Sequence, residues 1–371
     1  MTTPRIAELT TAAVGGPAGH YVRAETEQAV VDAVAEADAA GRPVLVVGGG
    51  SNLIAADAGF GGAVVHVASR GVAVVDDGPG AAVLEVQAGH PWDELVARTV
   101  AEGLVGIEAL SGIPGTTGAT PVQNVGAYGQ EIAQTVELVR VWDRHERRVQ
   151  EFGPEELDFA YRDSLLKRTT VDGAPRHVVL AVRFRLERGT EGAPVRYAEL
   201  ARRLGVPVGE RAPLATVRDA VLALRAGKGM VLDPADRDTF STGSFFTNPI
   251  LPTADLDGRI PADAPRFPVV DAAGAPVEDR VKLSAAWLID RAGFGKGFGL
   301  PGTRNELLDL DGAAVAGGRA SLSTKHTLAL TNRGGASAED LMALARTVRD
   351  GVASVWGVRL VAEPVIVGTA V

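Results

Sequence analysis

Cysteine is absent from all 371 residues. That excludes a disulfide, a thiolate-bound metal, a cysteine nucleophile and a cysteinyl link to a cofactor. Histidine is scarce. The six residues His20, His66, His90, His145, His177 and His326 are scattered, and no two have metalloprotease spacing, so no catalytic metal is expected. Positive charge is in deficit, with 37 Lys and Arg against 46 Asp and Glu. The resulting net charge of −9 argues against a nucleic-acid partner. It does not exclude small anions, which local arginines and backbone amides bind inside an acidic protein. A long apolar run is also missing: residues 109–130 carry no charge, but Gly and Pro interrupt them and several side chains are polar. The start, Met1 to Leu9, lacks the basic region and apolar core of a signal peptide. These absences predict a soluble cytoplasmic protein with no membrane partner.

What is present suggests several domains, since 371 residues exceed one ordinary core. The spacing predicts a helix over Thr26–Ala40, with Val30, Val31, Val34 and Ala35 inward, and a buried strand at 43–47. A second strand is expected over 63–67, a third at 83–86 and a helix from Trp92 to Glu102. Residues 136–143 and 178–187 read as strands. The latter alternates Val178, Leu180, Val182, Phe184 and Leu186 on one face. Residues 251–280 look like loops around short strands. Ser337 to Asp340 resembles a capping box opening a helix whose stripe runs Leu341, Leu344, Val348, Val352, Val355. A closing strand is expected over 358–367. The class is α+β, with boundaries near 71 and 231.

Two glycine-rich segments stand out. Gly48-Gly49-Gly50-Ser51-Asn52 follows a strand, where missing side chains let backbone amides approach a phosphate. The dinucleotide fingerprint of doubly wound folds needs a third Gly and then a helix. Leu53 and a strand follow here, so that fold is disfavoured. Taken alone, the segment reads equally as a tight inter-strand turn. The second segment runs from Ser111 through Gly118 to Gln123-Asn124-Val125-Gly126-Ala127-Tyr128-Gly129. Its amides, Thr, Gln and Asn suit a buried uncharged ring plus a diphosphate better than a solvated surface.

This pair resembles the flavin-binding loops of the vanillyl-alcohol-oxidase type of FAD fold, and in particular those of the UDP-N-acetylenolpyruvoylglucosamine reductase family. The resemblance extends from about residue 20 to the C-terminus. It implies two FAD-binding subdomains, 1–71 and 72–231, followed by an α+β substrate-binding domain, 232–363, with 364–371 returning to the first subdomain. It implies noncovalent FAD on Gly48, Gly49, Gly50, Ser51 and Asn52, and on Ser111, Ile113, Pro114, Gly115, Thr116, Gly118, Gln123, Asn124, Gly126, Ala127 and Tyr128. Neither loop holds a His or Cys to which a flavin would attach. NADPH is implied as reductant and UDP-N-acetylglucosamine enolpyruvate as substrate.

Three further segments carry chemistry. Ala160-Tyr161-Arg162-Asp163-Ser164 reads as a surface turn or as a forked cation for a carboxylate or enolate. Gly243-Ser244-Phe245-Phe246 reads as a turn before two core aromatics, or as a hydroxyl framed by rings. Glu363 sits in an apolar stretch, either facing solvent at a strand edge or buried and functional. The family resemblance implies that Arg162, Ser244 and Glu363 are catalytic, with Ser244 giving a proton to carbon and Tyr161 lining the site. It further implies substrate contacts at Tyr197, Lys228 and Asn248, with Tyr197 marking the subtype that has a substrate-closing loop. The chain departs from the family at Thr247, where lysine is common, and Gly229-Met230 shifts the spacing after Lys228. No Gly-X-Ser-X-Gly elbow surrounds Ser244, which disfavours a hydrolase. A sugar oxidase on the same fold and a non-catalytic nucleotide-binding protein are the rival readings. A monomer is expected, although nothing in the sequence fixes the oligomeric state.

Overall fold

The computed structural model describes residues 3–256, 258–270 and 276–371. Its contacts form two compact units, and the chain passes between them several times. The first holds Ala18–Gly50 and Phe60–Val231 with the N-terminal residues up to Pro4; the second holds Arg5–Pro17, Ser51–Gly59 and Leu232–Val371. Among the described residues no helix is long and apolar enough to cross a membrane.

The first unit contains a three-stranded parallel sheet in the order Ala18–Ala24, Phe60–Val67, Val44–Val47. Helix α1, Glu27–Ala39, starts where the Thr26 hydroxyl accepts the Ala29 amide, and it buries Val30, Val34 and Ala37. A larger antiparallel sheet runs Arg148–Phe152, Val136–Asp143, His177–Arg188, Ala81–Gln87, Val72–Asp77, with Leu104–Val105 beside one end of the long strand. Alternation predicts one buried face for that strand, yet Val179 and Ala181 are buried as well. The strand is central, and α1 and the turn at 117–123 pack against it, so both faces are covered. Glu85 lies between Arg140 and Arg183, 3.0 Å and 2.8 Å away, and Arg140 also reaches Glu27 of α1 at 3.0 Å. These cross-strand charges fix α1 to the sheet and draw the Glu85 carboxyl below its usual range despite desolvation.

Three longer helices follow in the first unit. Helix α2, Trp92–Ala101, buries Trp92, Leu95 and Val96. Helices α3, Ala198–Leu204, and α4, Leu214–Gly227, pack together over Leu200, Val217 and Val221.

The second unit is built on α5, Ala338–Trp356, whose buried stripe includes Leu341, Leu344, Val348 and Val352. Gly351 is required by close approach: a Cβ there would lie 2.4 Å from Phe294 Cζ. The expected capping box is present, with Ser337 Oγ accepting the Asp340 amide at 3.0 Å. A second acid joins it from far along the chain. Asp57 accepts the amides of Ala338 and Glu339 at 2.8 and 3.2 Å, which joins Ser51–Gly59 to this unit. Residues 251–280, expected as loops around short strands, contribute to an antiparallel sheet of Ile250–Pro252, Pro276–Leu283 and Arg266–Val270. The closing strand is shorter than expected. Only Val365–Val367 is regular, parallel to Leu53–Ala55, because Pro364 has no amide to extend the ladder. Glu363 therefore lies before the strand and not within it.

Removing the distant cap should loosen the helix it serves. Asp57→Ala is expected to cost about 1–2 kcal/mol. Hydrogen exchange at the first amides of α5 should accelerate about tenfold, while the first unit's sheet amides keep their protection.

Candidate active site

The two glycine-rich segments meet in the first unit. A Cβ on Gly48 would stand 2.3 Å from Thr116 Oγ1, and one on Gly49 would stand 2.6 Å from Gly115 Cα. Only glycine permits this approach, so the facing walls are backbone. Positive φ at Gly50, Gly112, Gly115 and Asn124 turns the chain repeatedly there. The dense, charge-free backbone suits a diphosphate and a flat heteroaromatic ring, and it fits FAD. Ser51 and Asn52, the end of the first segment, belong to the second unit.

The second segment is held from below. Gly112 donates its amide to Asp93 at 2.6 Å, and Asp93 is gripped by both terminal nitrogens of Arg218 at 2.7 and 2.8 Å. Thr117 and Gly118 donate to the carbonyls of His90 and Ala88, and a Cβ on Gly118 would stand 2.5 Å from that of Ala88. The Ser111 hydroxyl turns back onto the Glu108 carbonyl at 2.6 Å, and Ile113 packs on the core. Pro114 lies within this same turn. After a 3₁₀ turn over Thr117–Gln123, Asn124 adopts a left-handed conformation with φ 44°. Its side chain accepts the Ala133 amide at 3.2 Å and donates to Glu131 at 2.8 Å and to the Ala160 carbonyl at 3.1 Å. Gly126 and Ala127 then pair with Glu131 and Gln130.

Asn124 thereby connects the flavin-type loop to the turn that carries Arg162. Ala160 and Asp163 exchange backbone hydrogen bonds at 3.1 and 3.2 Å, which places Tyr161 and Arg162 at the tip of a tight turn. Arg162 has φ 55°, donates to the Gly126 carbonyl at 2.8 Å, and lies 5.4 Å from the Tyr161 ring centroid. Such backbone strain in a charged residue is typical of a functional position. Ser164, buried, donates to the Val122 carbonyl at 2.6 Å and accepts the Lys167 amide.

Tyr128, Tyr197 and Lys228 form one cluster. The two tyrosine rings meet edge-on with centroids 5.5 Å apart, and Lys228 Nζ lies 5.8 Å from the Tyr128 centroid. Burial pushes the Tyr128 hydroxyl up to about 12, so the phenol stays neutral. Arg225, in the last turn of α4, is not singled out by the sequence. It is buried and donates to the Met230 carbonyl at 2.9 Å, while its Nε finds no partner among the described residues. Desolvation lowers its pKa, opposed by Tyr128 and Asp93. The signal that could have found it is periodicity: Val217, Val221 and Arg225 follow each other at helical spacing on the buried stripe of α4.

Ser244 and Glu363 lie together in the second unit; Arg162 belongs to the first. Gly243, with φ 72°, donates its amide to Ser241 Oγ at 3.1 Å, setting the entry to Ser244. Phe245 and Phe246 are both core residues with ring centroids 5.0 Å apart, and Ser244 beside them stays partly accessible. Phe245 donates to the Leu328 carbonyl and accepts the Glu363 amide, each at 2.8 Å, and Phe246 bridges Ala362. The Glu363 carbonyl in turn accepts the Asn52 side chain at 3.4 Å. Asn248 Oδ1 accepts the Ala285 amide at 2.9 Å, a capping role at the helix Ala285–Arg291. The Thr247 amide and hydroxyl both point to the Val361 carbonyl, at 3.0 and 3.4 Å.

Asn124→Ala would remove three hydrogen bonds and place alanine in left-handed backbone. A loss of about 3 kcal/mol is expected in urea unfolding of the first unit. Exposure of the Arg162 turn to proteolysis should rise with it.

Comparison with known proteins agrees with this geometry. Residues 18–150 match the model of an FAD binding domain, and residues 233–367 match the C-terminal domain of UDP-N-acetylenolpyruvoylglucosamine reductase. The chain is 52% identical to the UDP-N-acetylenolpyruvoylglucosamine reductase of Saccharopolyspora erythraea, covering 98% of this chain and 95% of the relative. It is 54% identical to that of Nocardia farcinica, over 98% of this chain and 88% of the relative. The crystal structure of the Thermus caldophilus enzyme matches with a TM-score of 0.63 at 25% identity, over 98% and 97% of the two chains. Matched along almost its whole length, the chain belongs to the UDP-N-acetylenolpyruvoylglucosamine reductase family.

Proposed function

We propose that the chain is an FAD-dependent reductase that uses NADPH to convert UDP-N-acetylglucosamine enolpyruvate to UDP-N-acetylmuramate, a step of peptidoglycan precursor synthesis. The observation that carries this reading is the backbone pairing of Phe245 with Glu363, through which Ser244 and Glu363 stand on adjacent segments. The family relationship along the chain supports it. Residues 1–71 and 72–231 act as two flavin-binding lobes and 232–363 as the substrate-binding domain, with 364–371 returning to the first lobe. FAD is held noncovalently by Gly48, Gly49, Gly50, Ser51 and Asn52, and by Ser111, Ile113, Pro114, Gly115, Thr116, Gly118, Gln123, Asn124, Gly126, Ala127 and Tyr128.

Bound by those residues, FAD would supply hydride chemistry, with NADPH as reductant and C3 of the enolpyruvyl group as acceptor. Negative charge then develops at C2 and its carboxylate. Arg162, a permanently charged fork fixed by the Gly126 carbonyl, stabilises that charge. Glu363, on the backbone segment paired with Phe245, is the third group at that centre and stabilises the same form together with Arg162. Ser244 gives its hydroxyl proton to C2, completing the lactyl ether. A serine hydroxyl is a weak acid, so it protonates carbon only because hydride addition has made C2 strongly basic. Its donor role needs no activating base, unlike a nucleophilic serine. Tyr161 lines the site, while Tyr197, Lys228 and Asn248 contact the substrate, the first two at its diphosphate. The reading carries with it a cytoplasmic enzyme, since both co-substrates are soluble nucleotides, and one that acts as a monomer.

Two measurements test the proposal. Purified protein should bind FAD and show flavin absorption; failure to be reconstituted with FAD would sink it. Ser244→Ala should leave NADPH-driven bleaching of the flavin nearly intact and lower formation of the lactyl ether about 10²–10⁴-fold. Normal turnover in that variant would remove Ser244 from the reaction.

A further inference from the structure

Lys228 caps the C-terminus of α4, and its ammonium lies 2.6 Å from Glu199 Oε2. Glu199 stands in the first turn of α3, two residues after Tyr197, the residue that precedes the helix. Both Tyr197 and Lys228 rest on Tyr128, one against its edge and one over its face. The two groups assigned above to the substrate's diphosphate are thus docked on one half-buried ring, and the cation among them already has an internal carboxylate.

An ammonium offers three donors and no acceptor, and a carboxylate oxygen and a phosphate oxygen are interchangeable partners for it. A diphosphate that reaches Lys228 meets Glu199 as a like charge at the same atom. Either the carboxylate turns away or the anion is repelled. An ordinary ion pair this exposed, with side chains 28% and 34% accessible, contributes little to stability. Its consequence lies in competition at Lys228.

We propose that Glu199 is an internal stand-in for the substrate's diphosphate: it holds Lys228 in place while the site lacks nucleotide, gives way when the anion binds, and so sets nucleotide affinity. Glu199 is a positioning residue that acts through Lys228, and the proposal rests on the diphosphate reading of Lys228 given above.

The test uses the full FAD-loaded chain. In Glu199→Gln, which keeps shape and removes charge, KM for UDP-N-acetylglucosamine enolpyruvate should fall about three- to tenfold, with the change in KM and not in kcat. The Kd of UDP, measured by titration calorimetry, should fall by the same factor. Glu199→Asp, which keeps the charge, should retain KM near that of the unaltered protein. The charge effect should vanish when Lys228→Ala is already present. An unchanged or raised KM in Glu199→Gln overturns the proposal, as does an equal fall in the Lys228→Ala background. If Lys228→Ala alone leaves KM and the UDP Kd unchanged, the diphosphate reading itself fails, and the stand-in role falls with it.

Discussion

A run of backbone hydrogen bonds in the second unit links four stretches far apart in sequence. The Leu328 carbonyl takes the Phe245 amide, the Val361 carbonyl takes the Thr247 amide, Phe245 takes Glu363, and Asn52 takes Val365. None of these is a regular sheet beyond the three residues Val365–Val367, yet together they fix where Ser244 and Glu363 stand. The run is anchored at both ends. Phe245 and Phe246 sink into the core beneath it, and Asp57, just past Asn52, caps the long helix α5. The serine donor proposed above would need this rigidity, because such a transfer depends on placement and not on an unusual acidity.

The first unit uses a different device. Its ligand walls are backbone, and the charged side chains that steady them lie behind. Asp93 holds Gly112 and is itself held by Arg218, while Asn124 ties the loop to the Arg162 turn. A buried polar group is costly unless partnered, so these contacts are mutually dependent. Arg225, buried with its Nε unpartnered among the described residues, departs from that economy in the way a site residue does.

Much of this is legible in the sequence because it is local. The capping box at Ser337, the stripe of α5, the glycine-rich loops and the absence of a dinucleotide-type helix after Gly50 all follow from spacing over a few residues. Both readings of Gly243–Phe246 prove compatible: the phenylalanines are core, and the serine before them remains accessible. Three features escape such reading. Glu363 is not inside a strand, since Pro364 interrupts the ladder. The strand 177–188 is buried on both faces over its first half, His177 to Val182, which alternation does not reveal when small or branched residues occupy both. Arg225 shares the helical spacing of Val217 and Val221, but a charge on that stripe reads as solvated until the surface packed against it is known.

Residue order alone was enough for the α+β class and the charge-free glycine-rich loops, because both rest on spacing and composition over a few residues. The candidate trio Arg162, Ser244 and Glu363 came with the family resemblance, since each of its segments also reads as ordinary structure. Which distant groups share atoms was settled by packing. It set Asp57 on α5, Glu363 on Phe245, and Glu199 on Lys228. Those pairings join positions tens to hundreds of residues apart, and a chain's spacing carries no record of contacts made only when separate elements pack.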